Sequence, residues 1–192
     1  MSAIHFTKSE LAAAIARGVR QCVVIGSRLP LCDAVKSSPD QSLQVFALGE
    51  EEEQPSDSPA TFVPTQFASE TLATALEKSD FDKLKATLFV WLGGAGYRTL
   101  DAVIAGLAFI ASLPSGSGVV FDYAAERTSL GSLTHTTLDA LASRISLPGS
   151  VKYLIQPQAV AALLRGLGFQ QIVDLAQDEL HGSGGHLVSA VV

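Results

Sequence analysis

Few places in this chain carry residue types and spacings that could do chemistry. Gly26-Ser27-Arg28 follows a short apolar run over 21–26. A glycine turn after such a run lets a ligand come close to the backbone. Asp122-Tyr123 closes another apolar run and sets a carboxylate and a phenol at a strand end. That position either faces a ligand cleft or simply caps the strand with polar groups. His181 and His186 flank Gly182-Ser183-Gly184-Gly185. Two imidazoles could begin a metal site, but no third ligand stands nearby and the glycines form a floppy connection. The segment reads as a loop between strands, and no metal is expected.

Other reactive types are excluded by their surroundings. Ser115-Gly116-Ser117-Gly118 is a turn without the lysine of a phosphate-binding loop, and no G-x-S-x-G elbow is present. Cys22 lies in an apolar run, and with Cys32 it makes neither a disulfide framework nor a C-x-x-C pair. His135, among mixed neighbours on a helix, reads as a surface residue. The acidic run Glu50-Glu51-Glu52-Glu53 reads as a solvated loop.

The elements that must position these residues follow from periodicity. Leu11, Ala14, Ile15 and Val19 recur at helical spacing, so 9–18 is read as a helix ending at Gly18. Further helices are expected over 30–37, 69–78, 99–113, 133–145 and 157–167. Thr99 and Pro157 mark two starts, and Pro114 and Gly168 two stops. Strands are expected over 21–26, 43–48, 60–64, 87–92, 118–123, 169–175 and 186–192. The run Thr87-Leu88-Phe89-Val90-Trp91-Leu92 is apolar throughout, as for a strand buried on both faces. Helix and strand alternate, which implies a mostly parallel sheet covered on both faces. The last two strands are joined by about ten residues, too few for a helical crossover, so that pair should be antiparallel.

Composition sets the outer bounds. The chain has 192 residues, enough for one domain with a full core, and neither a repeat nor a dividing linker is visible. Residues 1–192 are therefore expected to form a single α/β domain. Hydrophobic residues make up 47% and charged residues 17%, which excludes general disorder. The formal net charge of −6, with no basic stripe, argues against nucleic acid. The longest apolar stretch, 102–113, is too short to span a membrane, and the first residues lack signal-peptide character, so a cytoplasmic location is expected.

Four segments together resemble the leucine carboxyl methyltransferase-like family of S-adenosylmethionine-dependent O-methyltransferases. They are Gly18-Val19-Arg20-Gln21-Cys22-Val23-Val24-Ile25-Gly26, then Thr87 to Gly93, then Phe109 to Pro114 with Val119 to Tyr123, and finally Ala161 to Phe169 with Asp174-Leu175. The match covers nearly the whole chain. It implies a Rossmann-like methyltransferase fold: a seven-stranded, mostly parallel sheet with helices on both faces and an antiparallel last strand. It also implies S-adenosylmethionine as cofactor and a small-molecule or peptide acceptor bearing a carboxylate or hydroxyl.

The resemblance assigns roles residue by residue, and several positions depart from its pattern. Gly26 and Ser27 open the glycine turn, but Arg28 stands where the family has its second glycine. The carboxylate that accepts both ribose hydroxyls falls on Gly49, with Glu50 one residue later. The acid after the third strand becomes Gln66, followed by Phe67; an amide oxygen still accepts a hydrogen bond. Trp91 is retained, whereas Leu92 replaces a glutamate. Tyr97 matches a tyrosine near the substrate mouth, and Asp122 and Tyr123 are further substrate-side candidates. His5 replaces an arginine that clamps the cofactor's carboxylate, with Lys8 and Ser9 in place of paired acids. The sequence starts almost at the helix before the first strand, so the N-terminal helical segment with which the family covers its cofactor is expected to be missing. Two expectations follow. One is an O-methyltransferase using Gly26, Ser27, Glu50 and Gln66, with no clear general base. The other is a non-catalytic relative that has lost the cofactor and uses its open cleft for a partner, in a homo- or hetero-oligomer.

Overall fold

A computed structural model describes residues 2–26, 42–50, 60–67, 69–93, 99–125, 155–177 and 185–192. The helices expected over 30–37 and 133–145 lie outside the described residues, as do Cys32, His135 and His181.

The first helix, α1 (Ala3–Ala16), begins six residues before the expected start. Ser2 is its N-cap and accepts from the His5 amide at 3.3 Å. Thr7 folds its hydroxyl back onto the Ala3 carbonyl, and Phe6, Leu11 and Ala14 form the buried stripe. Gly18, at φ 99°, turns the chain into β1 (Gln21–Ile25). The strands β2 (Gln44–Gly49) and β3 (Thr61–Pro64) follow, then the short helix α2 (Leu72–Leu76) and β4 (Thr87–Trp91). Beyond these come α3 (Leu100–Ala111), β5 (Gly118–Ala124), α4 (Pro157–Leu167), β6 (Gln171–Gln177) and β7 (Gly185–Val191). Thr99 caps α3 by accepting from the Ala102 amide, and Gly168, left-handed at φ 108°, ends α4; both signals were legible in sequence.

The seven strands form one sheet in the order β3-β2-β1-β4-β5-β7-β6. The pairs β1–β2, β1–β4, β2–β3 and β4–β5 are parallel, while β7 runs antiparallel to both β5 and β6. This is the expected Rossmann-like arrangement with its antiparallel final strand. The two-residue side-chain period divides the apolar strands between two cores. Val23, Ile25, Phe89, Trp91, Phe121 and Tyr123 pack on one face with residues of α2, α3 and α4. Cys22, Val24, Leu88, Val90 and Leu92 pack on the other with Phe6, Leu11 and Ala14 of α1. No helix among the described residues is long and apolar enough to cross a membrane.

Candidate functional site

The chain leaves β3 at one sheet edge and returns on the far side of β1 as β4. Strand order therefore reverses between β1 and β4, and a crevice opens at their carboxyl ends. Gly26 ends β1 at φ 95° and donates its amide to the Leu48 carbonyl at 2.9 Å. A Cβ built on Gly26 would meet nothing within 4 Å among the described residues.

Beside it, Glu50 follows β2 and Gln66 follows β3. The Thr65 amide donates to the Gly49 carbonyl at 2.8 Å and holds the two strand ends in register. Glu50, Thr65, Gln66, Phe67, Glu70 and Lys78 line one open groove. Glu70 shapes it: one carboxylate oxygen pairs with the Lys78 ammonium at 2.6 Å, and the other accepts from the Gln66 amide at 3.3 Å. Ser69 donates to the Gln66 side-chain oxygen at 3.4 Å. Phe67 and Glu70 also border a cavity of about 280 Å³ between α2 and α3. Its apolar wall is Ile25, Leu72, Trp91, Gly106 and Phe109. Gly106 matters here because the Trp91 ring lies against α3 where a Cβ would stand, 3.0 Å from Cζ3.

Glu50 and Gln66 thus line the groove and Trp91 the adjoining cavity, while Gly26 stands at the neighbouring end of β1. Leu92 does not join them. It is buried on the opposite face among the α1 residues, because consecutive strand residues point to opposite sides. His5, Lys8 and Ser9 are exposed on α1. Ser27, Arg28 and Tyr97 lie outside the described residues.

Asp122 and Tyr123 also project from opposite faces of β5. Asp122 accepts from the Gly93 amide at 2.6 Å and ties down the turn after β4. Tyr123, 8% exposed, donates its hydroxyl to Asp174 Oδ2 at 2.7 Å. Burial first, then the bond to Asp174 and that residue's charge, raise the Tyr123 pKa far above the usual phenol value, so its proton stays in place. Asp174 Oδ1 lies 2.7 Å from His186 Nδ1. Sequence reasoning passed over Glu70 and Gly106, and it named Phe67, Asp174 and His186 without giving them these contacts. Gly106 lies fifteen residues beyond Trp91, and Asp174 twelve before His186, so only the fold brings either pair together.

No family model and no curated protein matches the sequence. Solved structures do share its fold. The N-terminal domain of EvdMO1, crystallised with SAH and D-fucose, superposes with a TM-score of 0.66 at 14% identity, over 100% of this chain and 83% of that one. A SAM-dependent methyltransferase from Archaeoglobus fulgidus gives 0.57 at 15% identity, over 98% and 94%. The 1,6-didemethyltoxoflavin-N1-methyltransferase of Burkholderia thailandensis, with SAH bound, gives 0.59 at 14% identity, over 99% and 78%. The chain has the Rossmann-like fold of S-adenosylmethionine-dependent methyltransferases. The likeness extends across such enzymes broadly and does not single out the leucine carboxyl methyltransferases.

Proposed function

We propose that this chain is an S-adenosylmethionine-dependent methyltransferase acting on oxygen. The observation that carries this is the meeting of Glu50 and Gln66 in one groove, with the left-handed Gly26 at the neighbouring end of β1. The donor set suits the nucleoside half of the cofactor. A carboxylate at the end of β2 accepts from two ribose hydroxyls, and an amide oxygen accepts from the adenine amine. Phe67 and Trp91 offer apolar surface to a flat base in the adjoining cavity. When bound, the cofactor supplies a methyl group activated by a sulfonium. The residues of the chain then have to bind, orient and exclude water, since methyl transfer depends mainly on in-line placement.

Leu92 supports a second reading, a domain that keeps the fold without the cofactor. Its side chain is turned into the α1 core and has no atom that could accept a hydrogen bond from a cofactor. Titration with S-adenosylhomocysteine separates the two. At one hundred times the dissociation constant, ligand adds about 2.7 kcal/mol. For a chain of this length that is a rise of about 5–11 °C in melting temperature. Glu50→Gln should weaken binding about 10–100-fold, the effect of losing a charge-assisted hydrogen bond of about 1.5–3 kcal/mol. No shift at millimolar ligand would overturn the enzyme reading in favour of the second.

A further inference from the structure

Along the same rim of the sheet, three side chains from three strands form one hydrogen-bonded network. Tyr123 stands near the end of β5, Asp174 in the middle of β6 and His186 near the start of β7. Register sets Tyr123 opposite His186, and Asp174 opposite Val188, two residues further along β7. All three therefore project from the same face. The Tyr123 and His186 rings lie 5.1 Å apart and are tilted by 34°, which holds the imidazole plane on one side. Asp174 anchors the ring edge at Nδ1.

The hydrogen-bond inventory fixes the tautomer. The Tyr123 hydroxyl keeps its proton and donates, so Asp174 accepts on Oδ2. A carboxylate can only accept, so its second oxygen requires the proton on His186 Nδ1. The lone pair of the neutral ring is then on Nε2, which has no hydrogen-bond partner among the described residues. The His186 side chain is 16% exposed. β7 is separated from β4 only by β5, and two strand spacings place His186 roughly 10 Å from the end of β4. That is the side of the crevice away from the groove at Glu50 and Gln66.

We infer that His186 is the general base for the methyl transfer, and that the acceptor is a phenol-type hydroxyl and not a carboxylate. This rests on the methyltransferase reading above. The acceptor O–H bond breaks, its proton forms a bond to Nε2, and the electron pair stays on the oxygen, which becomes the nucleophile. The imidazolium that results lies against the Asp174 carboxylate, with Tyr123 still donating to the other oxygen. A carboxylate acceptor is already ionised at neutral pH and needs no base. It would also meet the negative charge of Asp174. Among hydroxyls, a phenol with a pKa of about 10 is within reach of an imidazole, whereas an aliphatic alcohol is far more basic once ionised. Asp174 and Tyr123 are positioning residues; His186 is the catalytic one.

The test combines turnover with a readout on the unloaded protein. Product S-adenosylhomocysteine is measured with 4-methylphenol, with the more acidic 4-nitrophenol and with benzoate, for the wild type, His186→Ala and Asp174→Asn. His186→Ala should lose about 10²–10⁴-fold in rate on 4-methylphenol. It should lose less on 4-nitrophenol, which needs less help to ionise, and added imidazole should restore part of the rate. A purely structural histidine would show neither the dependence on acceptor acidity nor the rescue. Nitrogen NMR of the apo protein should find the His186 lone pair on Nε2, and Asp174→Asn should disturb that tautomer. A lone pair on Nδ1, unaltered turnover in His186→Ala, or methylation of benzoate alone would each overturn the proposal while S-adenosylhomocysteine still raises the melting temperature. Absence of that rise would instead remove the methyltransferase reading, and this proposal with it.

Discussion

Two glycine-to-alanine substitutions test whether the cavity beside Trp91 is real, because they add the same methyl group against different neighbours. At Gly106 the new Cβ would stand 3.0 Å from Trp91 Cζ3 and 3.2 Å from Cη2. Ordinary carbon contacts lie at about 3.5–4.0 Å, so the ring must retreat by about half an ångström. Trp91 borders the cavity of about 280 Å³, and the ring has room to move. Crowding then costs about 1 kcal/mol, the low end for overpacking. Replacing glycine inside α3 returns about the same through helix propensity. The net change for Gly106→Ala should be within about 1 kcal/mol, or about 4 °C in melting temperature. At Gly118 the Cβ would stand 2.7 Å from the Ala190 carbonyl oxygen, in the ladder between β5 and β7. No side chain can yield there; the two strands must part. Gly118→Ala should cost about 3 kcal/mol, the upper end for overpacking. Its melting temperature should fall by about 6–12 °C. Differential scanning calorimetry on both variants decides the matter. Equal losses would show that the tryptophan cannot retreat and would refute the cavity argument. A mild Gly106→Ala that also weakens S-adenosylhomocysteine binding would tie the cavity to the ligand.

Two more outcomes follow from the end of β5. Tyr123→Phe removes a donor to Asp174 and should cost about 1–3 kcal/mol near neutral pH. The folded-state pKa of Tyr123 is raised above its unfolded value of about 10, so the stability tied to its proton is complete below that pH and is lost as pH climbs towards the folded value. Urea unfolding should therefore show the gap between wild type and Tyr123→Phe narrowing above about pH 10, and a constant gap would refute the linkage. Asp122→Ala should lower the melting temperature by about 3–12 °C through loss of the bond to the Gly93 amide, and Asp122→Asn, which keeps an acceptor oxygen, should recover most of it by thermal denaturation.

Much of the sheet is legible in the amino-acid sequence. A strand buried on both faces reads as a near-continuous apolar run, so 22–25 and 88–91 announce themselves, although each strand starts on a buried polar residue, Gln21 and Thr87. The antiparallel end of the sheet was forced by a connection too short for a crossover. The start of α1 was missed because its cue is a single serine ahead of mixed residues, and helical spacing only becomes regular from Leu11. The turn at Gly26 and the pair Glu50 and Gln66 were legible only through resemblance, since an acid or an amide after a strand carries no local mark of its role.

What the sequence determined by itself is which segments are apolar on one side or on both, because burial is written in the local period of each element. Which distant residues meet was decided by the tertiary structure. Trp91 reaches the crevice side and Leu92 the α1 side through the pleat of one strand, but the cavity beside Trp91 exists only because α3 passes at Gly106. Asp174 meets His186 and Tyr123 through the register of β6 on β7 and of β7 on β5. A slip of one residue in either pairing would turn one side chain to the opposite face and dissolve the network, and no local pattern in the chain records that register.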